Sequence, residues 1–456
     1  MTAFSLEPAQ LAWCAELRAL AAERLRPLAG KSEPGRVDRA LLAELGALGL
    51  LPRLFTSGAL DLCLMRESLA HACTEAETAL ALQGLGAHPV HAHGTEAQRA
   101  HWLPRVSDGS AVAAFALSEP DAGSDAAALR LSAEPDTGRA AGGASGDAGR
   151  RGVSGGAGHG GSSGVAGHGG EPNPPAPDAA RPSAGSAGQP PQPGVRPGAS
   201  RAPGPLAADR DGSAAWRLTG EKCWISNAPE ADFYTVFART TPGAGARGVT
   251  AFLVPADRPG LTGTPLDMLS PHPIGALAFD GVPVTADDVL GEPDRGFRVA
   301  MDTLNLFRPS VGAFAVGMAQ AALDATLAHT TARDAFGGKL RDLQTVSHQV
   351  AEMALRTEAA RLMVYAAATA YDEGAPDVPR RAAMAKLLAT ETAQYVVDQA
   401  VQLHGARALR RGHLLEHLYR EVRAPRVYEG ASEVQRGIIA KELYRTLDAT
   451  TKEAGT

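Results

Sequence analysis

The sequence predicts an α+β chain in three parts: an N-terminal helical domain, a middle β domain and a C-terminal four-helix bundle. Three observations support this prediction. Apolar residues recur at helical spacing through residues 1–110, short β-type runs replace them over 111–290, and the helical period returns over 291–446. Residues 447–456 are assigned to a tail. A chain of 456 residues is long enough for two or three domains.

The N-terminal part is predicted to be entirely helical. Leu11, Cys14 and Leu17 recur on one helical face, and alanine- and leucine-rich runs with the same period follow them. Thr95 stands where the last short helix of this part would begin, and a threonine there is typical of a helix cap. The first hundred or so residues therefore form a helical domain in this prediction.

The middle part alternates short β-type runs with turns, which predicts a β domain. Inside it, the segment from about 134 to 213 is rich in Gly, Ala, Pro, Ser and Asp and contains no Phe, Tyr, Trp, Ile or Lys. Such a composition buries too little apolar area to offset the entropy of ordering, so a disordered insertion is predicted. His159 and His168 are interpreted as products of the low-complexity sequence, and no metal site is predicted.

The C-terminal part shows three helical runs longer than about 20 residues. A fourth helix is predicted to begin near Ser432, which completes a four-helix bundle. Ser432 and Gln435 have the spacing of a capping box at the start of that helix.

Composition and charge exclude several classes of protein. With 44 basic and 50 acidic residues, the formal charge of −6 argues against a main role in binding nucleic acid. The four cysteines lack CxxC spacing, which favours free thiols over a zinc site or a disulfide framework. We find neither a basic-then-apolar leader nor an uninterrupted apolar run near 18 residues, so a cytoplasmic protein without a membrane span is expected.

A short turn near the C-terminus contains the strongest candidate for chemistry. Glu429 follows Tyr428 and precedes Gly430, where the missing Cβ lets another molecule approach the backbone. Such a turn can hold a base close to a substrate. A lone motif of this kind is also compatible with an acidic residue before an ordinary helix.

Five blocks in order make the pattern specific. They are Phe115–Asp125, Lys222–Asn227, Arg333–Gly337, Gln402–Gly405 and Tyr428–Gly430. Together they resemble the acyl-CoA dehydrogenase family, and the resemblance covers almost the whole chain outside the insertion. It implies an FAD-dependent oxidoreductase that acts on an acyl-CoA and passes electrons to an electron-transferring flavoprotein, as a homotetramer or homodimer.

The reaction implied by this resemblance is oxidation between Cα and Cβ of the thioester to a trans-2-enoyl product. It needs a base, a group that polarises the carbonyl and a hydride acceptor, and the acceptor must be a cofactor because no side chain takes a hydride. The resemblance implies that Glu429 is the base, that its backbone N–H and a flavin ribityl hydroxyl bind the thioester oxygen, and that flavin N5 takes the hydride. Some relatives place the base just before Arg308, but that position is Phe307 here.

The cofactor site is also implied by the resemblance, since no GxGxxG fingerprint follows a predicted strand. For Trp224 taken alone on a strand, core packing is the favoured interpretation. Two departures from the family pattern, Ala406 and Ala431, predict somewhat weaker FAD binding. The implied flavin-binding residues are Phe115, Leu117, Ser118, Trp224, Ser226, Arg333, Phe336, Gln344, Gln402, Gly405, Ala406, Ala431 and Glu433.

The substrate contacts implied by the resemblance are Ser124, Asn305, Arg308 and Gly430. Several alternatives remain open from sequence. The carrier is either CoA or an acyl carrier protein, and the same fold also supports an acyl-CoA oxidase or a flavin monooxygenase. A non-catalytic oligomeric scaffold is the alternative from another class. Retention of Glu429 favours dehydrogenation.

Overall fold

Helices fill the N-terminal part of the chain. The structure is a computed structural model that describes residues 6–136 and 215–454. The apolar face of each amphipathic helix packs into a shared core that includes Leu17, Leu41 and Leu80. Thr95 Oγ1 accepts a hydrogen bond from the Gln98 N–H, which confirms the predicted cap. The helices are α1 (Pro8–Leu20), extended by a π-helical turn (Ala21–Leu25), α2 (Arg26–Ala29), α3 (Arg39–Ala47), α4 (Leu50–Thr56), α5 (Ala59–Ala72), α6 (Thr74–His93) and α7 (Glu96–Ser107).

The middle part forms a sheet that has eight strands among the described residues. Its order is β6-β7-β3-β2-β4-β5-β8, with β1 parallel to β4. The central strands β4 and β5 are buried along nearly their whole length, as expected for β-branched and aromatic runs between two covered faces. The strands are β1 (Ala113–Ala116), β2 (Ser132–Pro135), β3 (Trp216–Ser226), β4 (Phe233–Arg239), β5 (Val249–Pro255), β6 (Leu261–Pro265), β7 (Ile274–Val284) and β8 (Val289–Leu290).

The predicted insertion starts slightly later than the sequence indicates. β2 and β3 pair antiparallel with Pro135 opposite Trp216, so residues 134 and 135 belong to the sheet. Residues 137–214, which carry the prediction of disorder and both His159 and His168, lie outside the described residues.

Long helices return after β8 and confirm the predicted helix, sheet, helix order. α8, α9 and α10 pack on one another, and α12 packs on α10, which gives the predicted bundle. The fourth helix continues to Ala454, so residues 447–454 are helical rather than a tail. The elements are α8 (Gly296–Ala332), β9 (Asp334–Ala335), β10 (Gly338–Lys339), α9 (Gln344–Asp372), α10 (Val378–His404), α11 (Leu414–Glu421) and α12 (Ser432–Ala454).

The helix α8 is the centre of the C-terminal part. It packs against α5 of the N-terminal part, where a Cβ on Gly317 would lie 2.4 Å from the Glu67 carbonyl oxygen, so only glycine allows this approach. Among the described residues it alone is long and apolar enough to cross a membrane. However, 72% of its most apolar window is buried, as is typical of a helix in a protein core.

Candidate active site

The turn before α12 has an unusual backbone. Glu429 has a φ of +51° and Gly430 a φ of +99°, so both lie in the left-handed region. A Cβ on Gly430 would stand 2.3 Å from Gln435 Nε2, so a side chain there would displace the end of Gln435. A non-glycine residue held at positive φ is strained, and such residues cluster at functional sites.

Three side chains from three elements hold this turn. Arg308 Nε of α8 donates to the Glu429 carbonyl oxygen at 3.3 Å, and Lys386 Nζ of α10 donates to the Gly430 carbonyl oxygen at 2.6 Å. Gln435 Nε2 of α12 lies 3.1 Å from both of these oxygens. The turn is therefore fixed by donors that converge on two successive carbonyl groups.

The predicted capping box of α12 is wrong. Ser432 is the first residue inside the helix, and its Oγ donates to Glu391 Oε1 at 2.6 Å. The side-chain amide of Gln435 bonds to the turn rather than to a capping residue. Because the helix begins one position before the capping geometry would require, Ser432 bonds to α10 and Gln435 bonds to the Glu429 turn.

The Glu429 carboxyl group has the properties of a base. Its Oε2 is buried and has no hydrogen-bond partner among the described residues. Burial raises the pKa of Glu429, and the nearby cations Arg66, Lys386 and Arg308 oppose that rise. A buried, unpartnered carboxylate oxygen with a raised pKa is typical of a proton acceptor for a ligand.

Arg66 and Glu77 form a buried ion pair near this turn. Arg66 Nε donates to Glu77, and its Nη1 donates to Ser310 Oγ at 2.7 Å. Sequence reasoning missed this pair and also missed Lys386. The available signal was a charged residue on an apolar helical face: Lys386 lies on the face of α10 that carries the buried Ala382 and Ala389.

The proposed substrate contacts are brought together only in part. Arg308 Nη1 donates to Asn305 Oδ1 at 3.2 Å one turn earlier on α8, and Arg308 also reaches Glu429, next to Gly430. Ser124 is exposed in the loop after β1, and no side-chain contact within the described part of the chain joins it to the other three. Asn305, Arg308 and Gly430 therefore form one group.

Two predicted flavin-binding blocks meet between β1 and β3. The Ser118 carbonyl oxygen accepts from the Cys223 N–H at 3.0 Å, and the Leu117 carbonyl oxygen accepts from Lys222 Nζ at 3.0 Å. A β-bulge between Lys222 and Ile225 gives Trp224 a φ of +56° and leaves its side chain 48% exposed. The core-packing alternative for Trp224 is therefore wrong, because the bulge turns the indole out of the sheet.

A buried ion pair stabilises the junction of these blocks. Lys222 Nζ lies 2.8 Å from Glu119 Oε1, and Glu119 also accepts the backbone N–H groups of Arg130 and Leu131. Burial lowers the pKa of Lys222 to about 8. The pair ties the strand end at Leu117 to the bulged strand, and sequence reasoning did not nominate it.

The residues predicted to bind the dinucleotide end of the cofactor lie on the surface, unlike the buried ion pair between β1 and β3. Phe336 stands in the β9–β10 hairpin with a φ of +54° and is 89% exposed. The Arg333 side chain makes neither a hydrogen bond nor an ion pair with any residue that the structure describes. Glu433 is exposed and pairs with Arg436 at 3.3 Å, and Ala431 is half-buried beside the turn. The remaining exposed members are Gln344, Gln402, Gly405 and Ala406.

These residues fit a flavin dinucleotide. An exposed indole beside Ser118 and Ser226 offers an aromatic face and hydroxyls for a ring system. The guanidinium of Arg333 suits a diphosphate. Nothing lies within 4 Å of a Cβ placed on Gly405, so the backbone there is open to a ligand. In residues 6–136 and 215–454 we find no group of three His, Cys, Asp or Glu side chains that could hold a metal ion.

Comparison with known proteins gives matches along most of the chain. Models of the N-terminal, middle and C-terminal domains of acyl-CoA dehydrogenases match residues 7–110, 199–282 and 294–444. A probable acyl-CoA dehydrogenase of Mycobacterium tuberculosis is 30% identical over 94% of both chains. The human mitochondrial short-chain specific acyl-CoA dehydrogenase is 30% identical over 94% of this chain and 88% of its own length. The structure of butyryl-CoA dehydrogenase from Megasphaera elsdenii aligns with a TM-score of 0.75 and 27% identity, over 97% of this chain and 99% of that one.

Proposed function

This chain belongs to the acyl-CoA dehydrogenase family, and we propose that it oxidises an acyl-CoA thioester to the trans-2-enoyl-CoA with Glu429 as the base. As a member of this family it is an oxidoreductase, and FAD is its cofactor. Bound FAD supplies the hydride acceptor that no side chain can provide. The observation that supports the base assignment is the buried Oε2 of Glu429, which has no partner among the described residues.

Glu429 takes the α proton of the thioester in this proposal. Because burial raises its pKa, the carboxylate is a stronger proton acceptor than an exposed glutamate. The cations Arg66, Lys386 and Arg308 oppose the effect of burial and so favour the ionised form that a base needs. The side chain therefore combines basicity with a useful fraction of the charged form.

The backbone N–H of Glu429 polarises the thioester carbonyl group. Within the described residues this N–H has no hydrogen-bond acceptor, although the carbonyl oxygen of the same residue has two donors. A free N–H in a fixed turn is suited to negative charge that develops on an oxygen during α-proton removal. Gly430 keeps the approach to this N–H open because it has no Cβ.

Phe115, Leu117, Ser118, Trp224 and Ser226 would hold the flavin ring, and Arg333 with Phe336 would hold the dinucleotide end. We further propose that a second copy of the chain supplies Gln402, Gly405 and Ala406 to that end, because these residues are exposed in one chain. Electrons leave through an electron-transferring flavoprotein, as the family resemblance implies.

An anaerobic titration of the purified holoenzyme tests the reaction. Short, medium, branched and cyclic acyl-CoAs are added in turn, and flavin absorbance is followed in the wild type and in Glu429→Gln. We expect one class of acyl-CoA to bleach the wild-type flavin, and we expect the variant to bleach at least about 10³-fold more slowly because it lacks the base.

Glu352→Gln is the matched control, because it makes the same chemical change at an exposed carboxylate on α9 that pairs with Arg356. It is expected to bleach like the wild type. Bleaching of Glu429→Gln at the wild-type rate would exclude Glu429 as the base. If no acyl-CoA bleaches the wild-type flavin, acyl carrier protein thioesters are tested next, and their failure as well would contradict the proposed reaction.

A further inference from the structure

We propose that Lys386 is a positioning residue for the reaction: it fixes the Glu429–Gly430 turn and its positive charge favours the ionised form of the base. This inference rests on the proposed function and deepens it. Lys386 is fully buried in α10, and its Nζ donates to the Gly430 carbonyl oxygen at 2.6 Å. The turn that it holds includes two successive residues at positive φ.

A structural role alone does not explain a lysine at this position. The Gly430 carbonyl oxygen already accepts a hydrogen bond from Gln435 Nε2 at 3.1 Å, so it would not be left unsatisfied without Lys386. Burying an ammonium group costs several kcal/mol unless carboxylates compensate. The charge therefore needs a reason of its own, and Glu429 lies in the turn to which the ammonium is bonded.

The surroundings of Lys386 support this assignment. The charged groups that face it are Glu429 in the turn, Arg308 on α8, Glu391 on α10 and Glu433 on α12. Burial lowers the pKa of Lys386 to about 8, against the attraction of these carboxylates. The side chain is therefore mostly cationic well below pH 8, and its charge acts on the carboxylate of Glu429 there.

The sign of the electrostatic effect follows directly. A cation beside a carboxylate stabilises the ionised form and lowers its pKa. Removing the charge of Lys386 therefore raises the pKa of Glu429 further. The acid limb of the plot of kcat against pH, where the base becomes protonated, then moves to higher pH. Removing the hydrogen bond also loosens the turn, which displaces the base from the α carbon.

The test compares Lys386→Met, which removes both charge and donor, with Lys386→Gln, which keeps a donor without the charge. We expect Lys386→Met to lower kcat by about 10²-fold with little change in KM, since small misplacements of a catalytic group cost about that much. We expect Lys386→Gln to recover part of kcat but to keep the shifted acid limb. Lys441→Met, an exposed lysine of α12, is the control and should change neither parameter.

A second arm needs no substrate. Thermal unfolding of the holoenzyme at pH 7 is measured for the wild type, Lys386→Met, Glu429→Gln and the double variant, with FAD content as a check on folding. If the two side chains interact, Lys386→Met destabilises the wild type more than it destabilises Glu429→Gln.

Additive effects in this cycle, or an unshifted acid limb in Lys386→Met, would overturn the inference even if Glu429 proves to be the base. If the wild type oxidises no acyl thioester, the proposed function fails, and the unfolding cycle still decides whether Lys386 and Glu429 are coupled.

Discussion

The two ends of the candidate site differ in how completely one chain builds them. At the base end, Glu429 is held by hydrogen bonds from α8, α10 and α12, and its carboxyl group lies among buried cations. At the dinucleotide end, Arg333 and Phe336 are exposed, and the Arg333 side chain is bonded to none of the described residues. The first end is preorganised by the fold, and the second is an exposed surface in one chain.

The difference indicates which end of the candidate site acts on the reaction rate and which acts on cofactor affinity. Preorganised donors and charges act on the reacting atoms without rearrangement, which is where rate acceleration arises. In the proposed site the exposed guanidinium of Arg333 would contribute binding free energy instead, by gaining a diphosphate partner when the cofactor binds. Variants at the base end should therefore change kcat, and variants at the dinucleotide end should change cofactor affinity.

Among the variants that keep the carboxylate of the base, the largest effect is expected from Gly430→Ala. An alanine is strained at a φ of +99°, and its Cβ would stand 2.3 Å from Gln435 Nε2, so either the backbone of the turn or this donor to it must shift. We expect kcat to fall by about 10²-fold or more with FAD content retained. Stopped-flow reduction of the flavin by the preferred acyl-CoA measures this.

Gly437→Ala is the matched control for that variant. Nothing lies within 4 Å of a Cβ at Gly437, which is exposed within α12. Alanine there should leave kcat unchanged and stabilise the helix by roughly 0.5–1 kcal/mol. Equal kcat values for the two alanine variants would show that the geometry of the turn does not limit the rate.

A smaller effect of a different kind is expected from Arg333→Ala. Loss of a charge-assisted contact to a diphosphate should cost about 1.5–3 kcal/mol, which weakens FAD binding by about 10- to 100-fold. At saturating FAD, kcat should stay close to that of the wild type. Equilibrium titration of the apoprotein with FAD gives the affinity, and Arg298→Ala, at an exposed arginine of α8, serves as the control. A fall in kcat with unchanged FAD affinity would show that Arg333 acts on the reaction rather than on cofactor binding.

Sequence reasoning predicted these two ends unequally well. The three-part fold follows from the change of hydrophobic period, because periodicity reports which face of each element is buried. Glu429 was nominated from a local motif, and the turn does have the conformation that Gly430 suggests. Motif residues are local in sequence, so their backbone geometry is largely readable from it.

The residues around the base were not predictable in the same way. Arg66, Glu77 and Lys386 come from α5, α6 and α10, and only tertiary packing brings them near the turn. Core packing was favoured for Trp224 taken alone, because the sequence does not show the β-bulge that turns it outward. The register shift that forms this bulge depends on pairing with β7. Contacts that depend on packing between distant segments leave only weak traces in a single sequence.

The smallest effect concerns stability and separates the base end from an ordinary buried charge. The pKa of Glu429 is raised in the folded state, so its contribution is favourable at low pH and is lost as pH rises through the folded pKa. At neutral pH the ionised carboxylate is therefore less favourable than a neutral amide of the same shape. We expect Glu429→Gln to stabilise the protein at pH 7 by about 0.5–2 kcal/mol although it slows the reaction at least about 10³-fold. The advantage should shrink as pH falls, because the protonated wild-type carboxyl group is also neutral.

Thermal unfolding from pH 5 to pH 8 measures this difference in stability, with Glu352→Gln expected to stay within about 0.5 kcal/mol of the wild type. A Glu429→Gln variant that is less stable than the wild type at pH 7 would mean that the surrounding cations more than compensate the burial of the base.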